Sequence, residues 1–150
     1  MRRLLLAAAV LFAGYAYFDD RPGVARDLVS NPASSPRADK PDAILENAFA
    51  RHESNVQVSG RGVVVKLLPD DNSGSKHQKF IVKLLSGQTV LIAHNIDIAP
   101  RVIGLGVGDS IQFNGEYEWN ARGGVVHWTH RDPSGLHPPG WLNHRGKTYQ

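Results

Sequence analysis

The chain contains no cysteine and only one methionine in 150 residues. The missing cysteines exclude disulfide scaffolds, thiol nucleophiles and every cysteine-ligated metal site. Basic residues form no run that could track a phosphate backbone, so the sequence pI near 9.4 is weak evidence for nucleic acid. Ser59, Ser73, Ser75 and Ser86 lie in a strand or in turns without a nucleophile-elbow pattern, and no Gly-rich loop opens a helix as a phosphate cradle would. Serine hydrolases and nucleotide-binding folds find no support. No uncharged run exceeds the 15 residues of Leu4 to Phe18, short of the ~18–20 that span a bilayer as a helix.

What is present divides the chain into three parts. Residues 1–18 carry a net charge of +2, residues 19–50 of −2, and residues 51–150 of +3. Thirteen of the 15 glycines fall between Gly60 and Gly146, and all three tryptophans lie in the last 32 residues. Met1-Arg2-Arg3, the apolar run and then Asp19-Asp20 have the charge order of an export signal. Small residues at Gly14 and Ala16 permit cleavage after Ala16, whereas Tyr15, Tyr17 and Phe18 suit a retained anchor at a membrane interface. The expected location is extracytoplasmic, periplasmic or secreted, with inner-membrane anchoring by residues 4–18 if they are not cleaved. Residues 19–40, rich in Pro, Ser and Asp, read as a flexible linker. Membrane contact is expected only through the N-terminal segment.

Residues 41–150 read as one domain. Asp39 and Pro41 signal a helix start, and Ile44, Leu45, Ala48 and Phe49 make an apolar stripe on a helix running to about His52. Val56 to Leu68 alternates, with Gly60 and Gly62 marking a bend, and Pro69 to Ser75 reads as a turn. Lys79–Leu85, Gln88–Ala93, Ser110–Trp119 and Val125–Thr129 read as further strands. Three strands, a longer connection and two more strands is the chain order of a small five-stranded barrel of the oligonucleotide/oligosaccharide-binding (OB) type. The expected class is therefore mainly β: an OB-like barrel with one N-terminal helix. Its expected interior is Val58, Val64, Phe80, Val82, Val90, Ile92, Ile111 and Phe113. Asp132 to Gln150, with Pro133, Pro138, Pro139 and Gly140, reads as neither helix nor strand but as an ordered irregular tail pinned by Trp141.

The seven histidines all follow residue 51, and imidazole is both the commonest metal ligand and the natural acid/base near neutral pH. Along a strand His127 and His130 face opposite ways, so they chelate one ion only if the strand ends or bulges before His130. Residues drawn from element ends make a better set: His77, His94, Asp97 and His127, with His130, Asp132 and His137 following. Of these His77, His94 and His127 are the catalytic candidates, and His94, Asp97 and His127 the metal ligands. Imidazole-dominated ligands favour Zn²⁺ or another borderline divalent metal. Glu116 and Glu118 share one face of their strand, an arrangement suited to acid/base work and equally to a solvated surface. Trp119, Trp128, Trp141 and Arg101 are the candidate binding residues, the tryptophans as a stacking groove for bases or sugars.

Four segments carry a resemblance: His77-Gln78-Lys79-Phe80, His94-Asn95-Ile96-Asp97, Asn114 to Trp119, and Gly123 to His130. With these the body, from about Val56 to Tyr149, resembles a family of short exported bacterial proteins defined as a domain of unknown function. The resemblance implies membership and no chemistry. Asn95 to Pro100 is also similar to the segment that carries a metal-binding aspartate in staphylococcal-type nucleases, with Asp97 at that position. Arg101 stands where that pattern has an acid, and Gln88–Ala93 lacks the arginine that would meet transition-state charge.

Two functions follow as expectations. The first is a non-catalytic module that binds an envelope ligand or protein, an oligosaccharide or an oligonucleotide, without a cofactor. The second is a metal-assisted hydrolase of phosphodiesterase or nuclease type, which would use Zn²⁺ or another divalent ion at a His-rich rim.

Overall fold

A computed structural model describes residues 42–71 and 73–150. The residues read as an export signal and a linker, and the helix-start residues Asp39 and Pro41, lie outside them. Among the described residues, no helix is long and apolar enough to cross a membrane.

The elements are helix α1 (Ala43–Arg51) and strands β1 (Val56–Asp71), β2 (His77–Leu84), β3 (Thr89–Asn95), β4 (Ser110–Glu118), β5 (Val125–His127), β6 (Trp141–His144) and β7 (Lys147–Tyr149). All seven strands form one sheet in the order β1-β2-β3-β5-β4-β6-β7, and a further β1–β4 pairing closes five of them into a ring. Within the ring β3 and β5 run parallel, and every other pair is antiparallel.

One long strand makes the closure possible. The first half of β1, from Val56 to Val63, pairs with β4, and the second half, from Gly62 onward, pairs with β2. The handover falls where the sequence places Gly60 and Gly62. A Cβ at Gly62 would stand 2.4 Å from the Lys83 carbonyl oxygen, so only glycine admits β2 this closely. The turn read at Pro69 starts later, because β1 continues to Asp71. An extra residue on β1 between Leu68 and Asp71 makes a bulge there, and proline, which has no N–H for the ladder, is tolerated in such a place.

Strict period-2 burial fills the ring. In β2, β3 and β4 every second residue is buried. All eight residues read as interior are 0–1% exposed. The helix packs on the ring through Leu45 and Ala48, with Phe49 partly buried against the core. Ile44 is a correction: at 57% exposure it lies off the stripe, and Ala43 is buried instead. The helix stops at His52, whose left-handed backbone caps it.

The tail is the larger correction. Trp141–His144 pairs with β4 alongside β5, and Lys147–Tyr149 folds back on it as a hairpin. Arg145 and Gly146 both have positive φ, as a two-residue hairpin turn requires. Proline and glycine are concentrated before residue 141, and beyond it Leu142 and His144 alternate inward. The sheet thus has seven strands, not five. Strand β5 is also shorter than read, ending at His127 because Trp128 takes a left-handed backbone.

Candidate functional site

The pleat decides which histidines can meet. On β3, even-numbered residues point into the ring, so His94 is fully buried. Its Nε2–H donates to the Pro100 carbonyl at 3.1 Å, and its Nδ1 accepts from the Thr129 hydroxyl at 2.8 Å. Burial is the main cause that lowers its pKa to about 4, so at neutral pH the ring is uncharged and both nitrogens are satisfied. Thr129 reaches inward because β5 has already ended, which also buries His130. The rings of His94 and His130 stand 6.4 Å apart.

Asp97 serves the local fold, where its Oδ2 accepts from the Lys76 N–H at 2.8 Å and ties the β3 exit to the β2 entry. Arg101 is paired with Asp70. Trp119 lies over His52 with ring centroids 4.2 Å apart, its indole N–H buried without a partner. Trp141 is half-buried on β6. The three tryptophans therefore sit in three separate settings: against His52, on the β5 exit and on β6.

The outer face gathers different groups. Glu116 and Glu118 point outward from β4, and His127, directly paired with Glu116, points outward from β5. Glu116, Glu118 and His127 each place one ligating atom within 4.8 Å of the other two, and among the described residues no other His/Asp/Glu group does so. His127 Nε2 lies 3.6 Å from Glu116 Oε1 and 3.9 Å from Glu118 Oε1. Both gaps exceed hydrogen-bond length, and this nitrogen is buried with no partner. Burial is the largest influence on the His127 pKa and lowers it, against the pull of the two carboxylates. The imidazole is neutral at pH 7, with an unused lone pair or N–H between two acids.

His137 completes the cluster from the β5–β6 loop. Its Nε2–H donates to Glu116 Oε2 at 2.8 Å and its Nδ1–H to the Pro138 carbonyl at 2.9 Å, so the ring is held as an imidazolium. Burial opposes that charge, but the two hydrogen bonds and the charges of Glu116 and Asp132 outweigh it and raise the pKa. The Trp128 ring stacks flat on His137, centroids 4.0 Å apart and planes within 7°, a favourable place for a cation. The loop itself is built around Asp132. Its carboxylate accepts from the Ser134 hydroxyl and from the backbone N–H groups of Ser134, Leu136 and His137. These bonds, led by that of the Ser134 hydroxyl, lower the Asp132 pKa to about 2. Gly140 seats the loop on the sheet, since a Cβ there would lie 1.9 Å from the Trp128 carbonyl oxygen.

A groove runs past this cluster along the outer face of β3. At one end a cavity of about 490 Å³ is lined by Leu68, Ile81, Leu91 and the β4–β5 connection at Asn120 to Arg122. Leu91 is shared with a second cavity, of about 390 Å³, walled by Asp71, His77, Lys79, Glu118 and His127. His77, Ala93 and His127 are shared in turn with a third, of about 170 Å³, which reaches Trp128 and His130. His77 donates from Nδ1 to the Ser75 carbonyl at 2.8 Å.

The family described as Protein of unknown function (DUF3465) matches residues 28–150. The chain belongs to that family. No curated protein matches it at a significant level. The family match takes in every residue of the cluster and the groove.

The structure thus brings His77 and His127 to one groove but sends His94 to the opposite face of the sheet. Residue parity alone put Glu116 and Glu118 on one face without joining them to the ligand set. The cue that would have joined them to His127 is the short β4–β5 connection, which pairs Glu116 with His127 across a hairpin. His137 stood among the residues that follow β5 in the chain, but its place beside Glu116 depends on how the loop around Asp132 closes.

Proposed function

We propose that the chain is a binding module of the cell envelope, exported through residues 1–18, that takes an oligosaccharide in the groove along β3. The ring order β1-β2-β3-β5-β4, closed by β1–β4, supports an OB-like barrel to which β6 and β7 are an addition. One observation carries the functional reading. The groove lies on the β2–β3 face and is walled by the β4–β5 connection, the face and the connection with which OB barrels hold their ligands. Its size is that of a small-ligand site, with an apolar end and a polar middle.

Charge favours a saccharide over a nucleic acid. Lys79 and Arg122 line the groove together with Asp71 and Glu118, and Lys79 is 3.8 Å from Asp71. A groove with as many acids as fixed cations has no net attraction for phosphates. Calorimetric titration with a tetrasaccharide of N-acetylglucosamine is expected to show saturable binding, and an oligothymidylate of about eight nucleotides to show none. Ala93→Leu, which fills the groove floor, is expected to weaken saccharide binding at least ~tenfold with an unchanged melting temperature. Binding of the oligothymidylate alone would replace the saccharide as occupant, and binding of neither would remove this reading. Export is tested by an alkaline phosphatase fusion after Asp20, which is expected to be active; an inactive fusion would place the body in the cytoplasm.

A further inference from the structure

We propose that Glu116, Glu118 and His127 form a binding site for a divalent transition metal, Zn²⁺ foremost, on the wall of the groove. The spacing is the first reason. An imidazolium held by carboxylates closes to about 2.7–2.9 Å, and neither gap at His127 does so. Donor atoms that share a tetrahedral ion at about 2.0–2.2 Å stand ~3.3–3.6 Å apart, slightly more in a distorted or five-coordinate site. The gaps of 3.6 and 3.9 Å belong to that second pattern.

The orphan nitrogen is the second reason. His127 Nε2 is shut off from solvent and meets no hydrogen-bond partner, though two carboxylate oxygens are beside it. A buried polar atom left unsatisfied amid suitable groups points to a partner from outside the chain. The third reason lies behind the ligands. Glu116 turns Oε1 toward His127 and gives Oε2 to His137, which is fixed by the Pro138 carbonyl and by the Trp128 ring. Carboxylates that ligate metals are oriented by such outer hydrogen bonds. His137 is thus a positioning residue, and Asp132 holds the loop that carries it.

One imidazole and two carboxylates suit borderline-to-hard ions, and among the common ones the affinity order places Zn²⁺ above Mn²⁺ and Fe²⁺. Three protein ligands leave a coordination position open toward the groove, where Glu118 and His127 are wall residues. The metal claim does not depend on what the groove binds.

The test is calorimetric titration of the full chain, purified without a histidine tag and stripped with chelator, with ZnCl₂ at about pH 7. Co²⁺ absorption spectra serve as a second readout of coordination. One Zn²⁺ per chain is expected. His127→Ala and Glu116→Gln should each weaken binding at least ~tenfold, and His137→Ala should weaken it while one-to-one stoichiometry persists. His52→Ala, which removes a histidine outside the cluster, should leave it unchanged. Glu118→Gln provides an independent ligand variant should any other lower the melting temperature. No saturable binding, or binding that His127→Ala and Glu118→Gln leave intact, would overturn the site; the second result would assign the ion to other surface histidines.

Discussion

His94 and His127 occupy adjacent strands of one ring and are both drawn toward neutrality by burial, yet their surroundings differ in kind. The inner imidazole has a donor for one nitrogen and an acceptor for the other, so it belongs to the architecture. The outer one has a shielded nitrogen with nothing to bond and two carboxylates just out of reach. Burial alone therefore does not identify a functional histidine. What distinguishes the two is whether the fold itself satisfies the ring.

The contrast is tested first at its foundation. Phe113, fully buried inside the ring, should cost about 3–5 kcal/mol when replaced by alanine. Chemical denaturation measures this, and a loss under ~0.5 kcal/mol would undo the inward parity of β4 on which the outward position of Glu116 and Glu118 rests. Next comes the pH dependence of the inner histidine. Unfolded, His94 takes up its proton near pH 6.5; folded, it resists until about pH 4. In that window the unfolded chain binds more protons, so its stabilising effect is complete above about pH 6.5 and fades as pH falls toward 4. The span amounts to roughly 3 kcal/mol. His94→Leu should flatten this part of the stability–pH curve, and an unchanged slope would mean that another group governs it.

Much of this was legible in the residues, and the reasons are physical. Period-2 alternation marks β2, β3 and β4 clearly, because strands with one face inward must place apolar side chains at every second position. Six of the eight interior residues follow from that pattern, and Val58 and Val64 from the alternation on β1. The sequence cues failed where the local signal was mixed. In the tail, the prolines at 133, 138 and 139 obscured the alternation that begins at Trp141. In the helix, Ile44 shares the apolar character of Leu45, and only packing against the ring shows which of the two is covered. At the candidate site, residue type led to His94 and Asp97, whose chemistry suits a metal but whose side chains the fold employs for its own hydrogen bonds. Glu116 and Glu118 were visible as a same-face pair; that His127 stands opposite them is a matter of register across β4 and β5.

Two smaller effects sharpen the outer half of the comparison. Asp132→Ala should lower the melting temperature less than Phe113→Ala does, and should broaden or shift the His137 ring resonances as the loop loses its central acceptor. Unperturbed His137 resonances would show that Trp128 and Pro138 suffice to hold the ring. His127→Ala should change stability by no more than ~0.5 kcal/mol, since the fold gains no hydrogen bond from its Nε2. A much larger loss would place His127 among the structural histidines.

The most direct measurement follows the imidazole nitrogens themselves, by long-range ¹⁵N–¹H correlation of the seven histidines before and after one equivalent of Zn²⁺. The expected result is a displaced His127 Nε2 resonance, with His94 retaining the pattern of a neutral ring protonated on Nε2. A spectrum in which His127 is unmoved while His94 or exposed histidines respond would contradict the division between an inner structural histidine and an outer ligand.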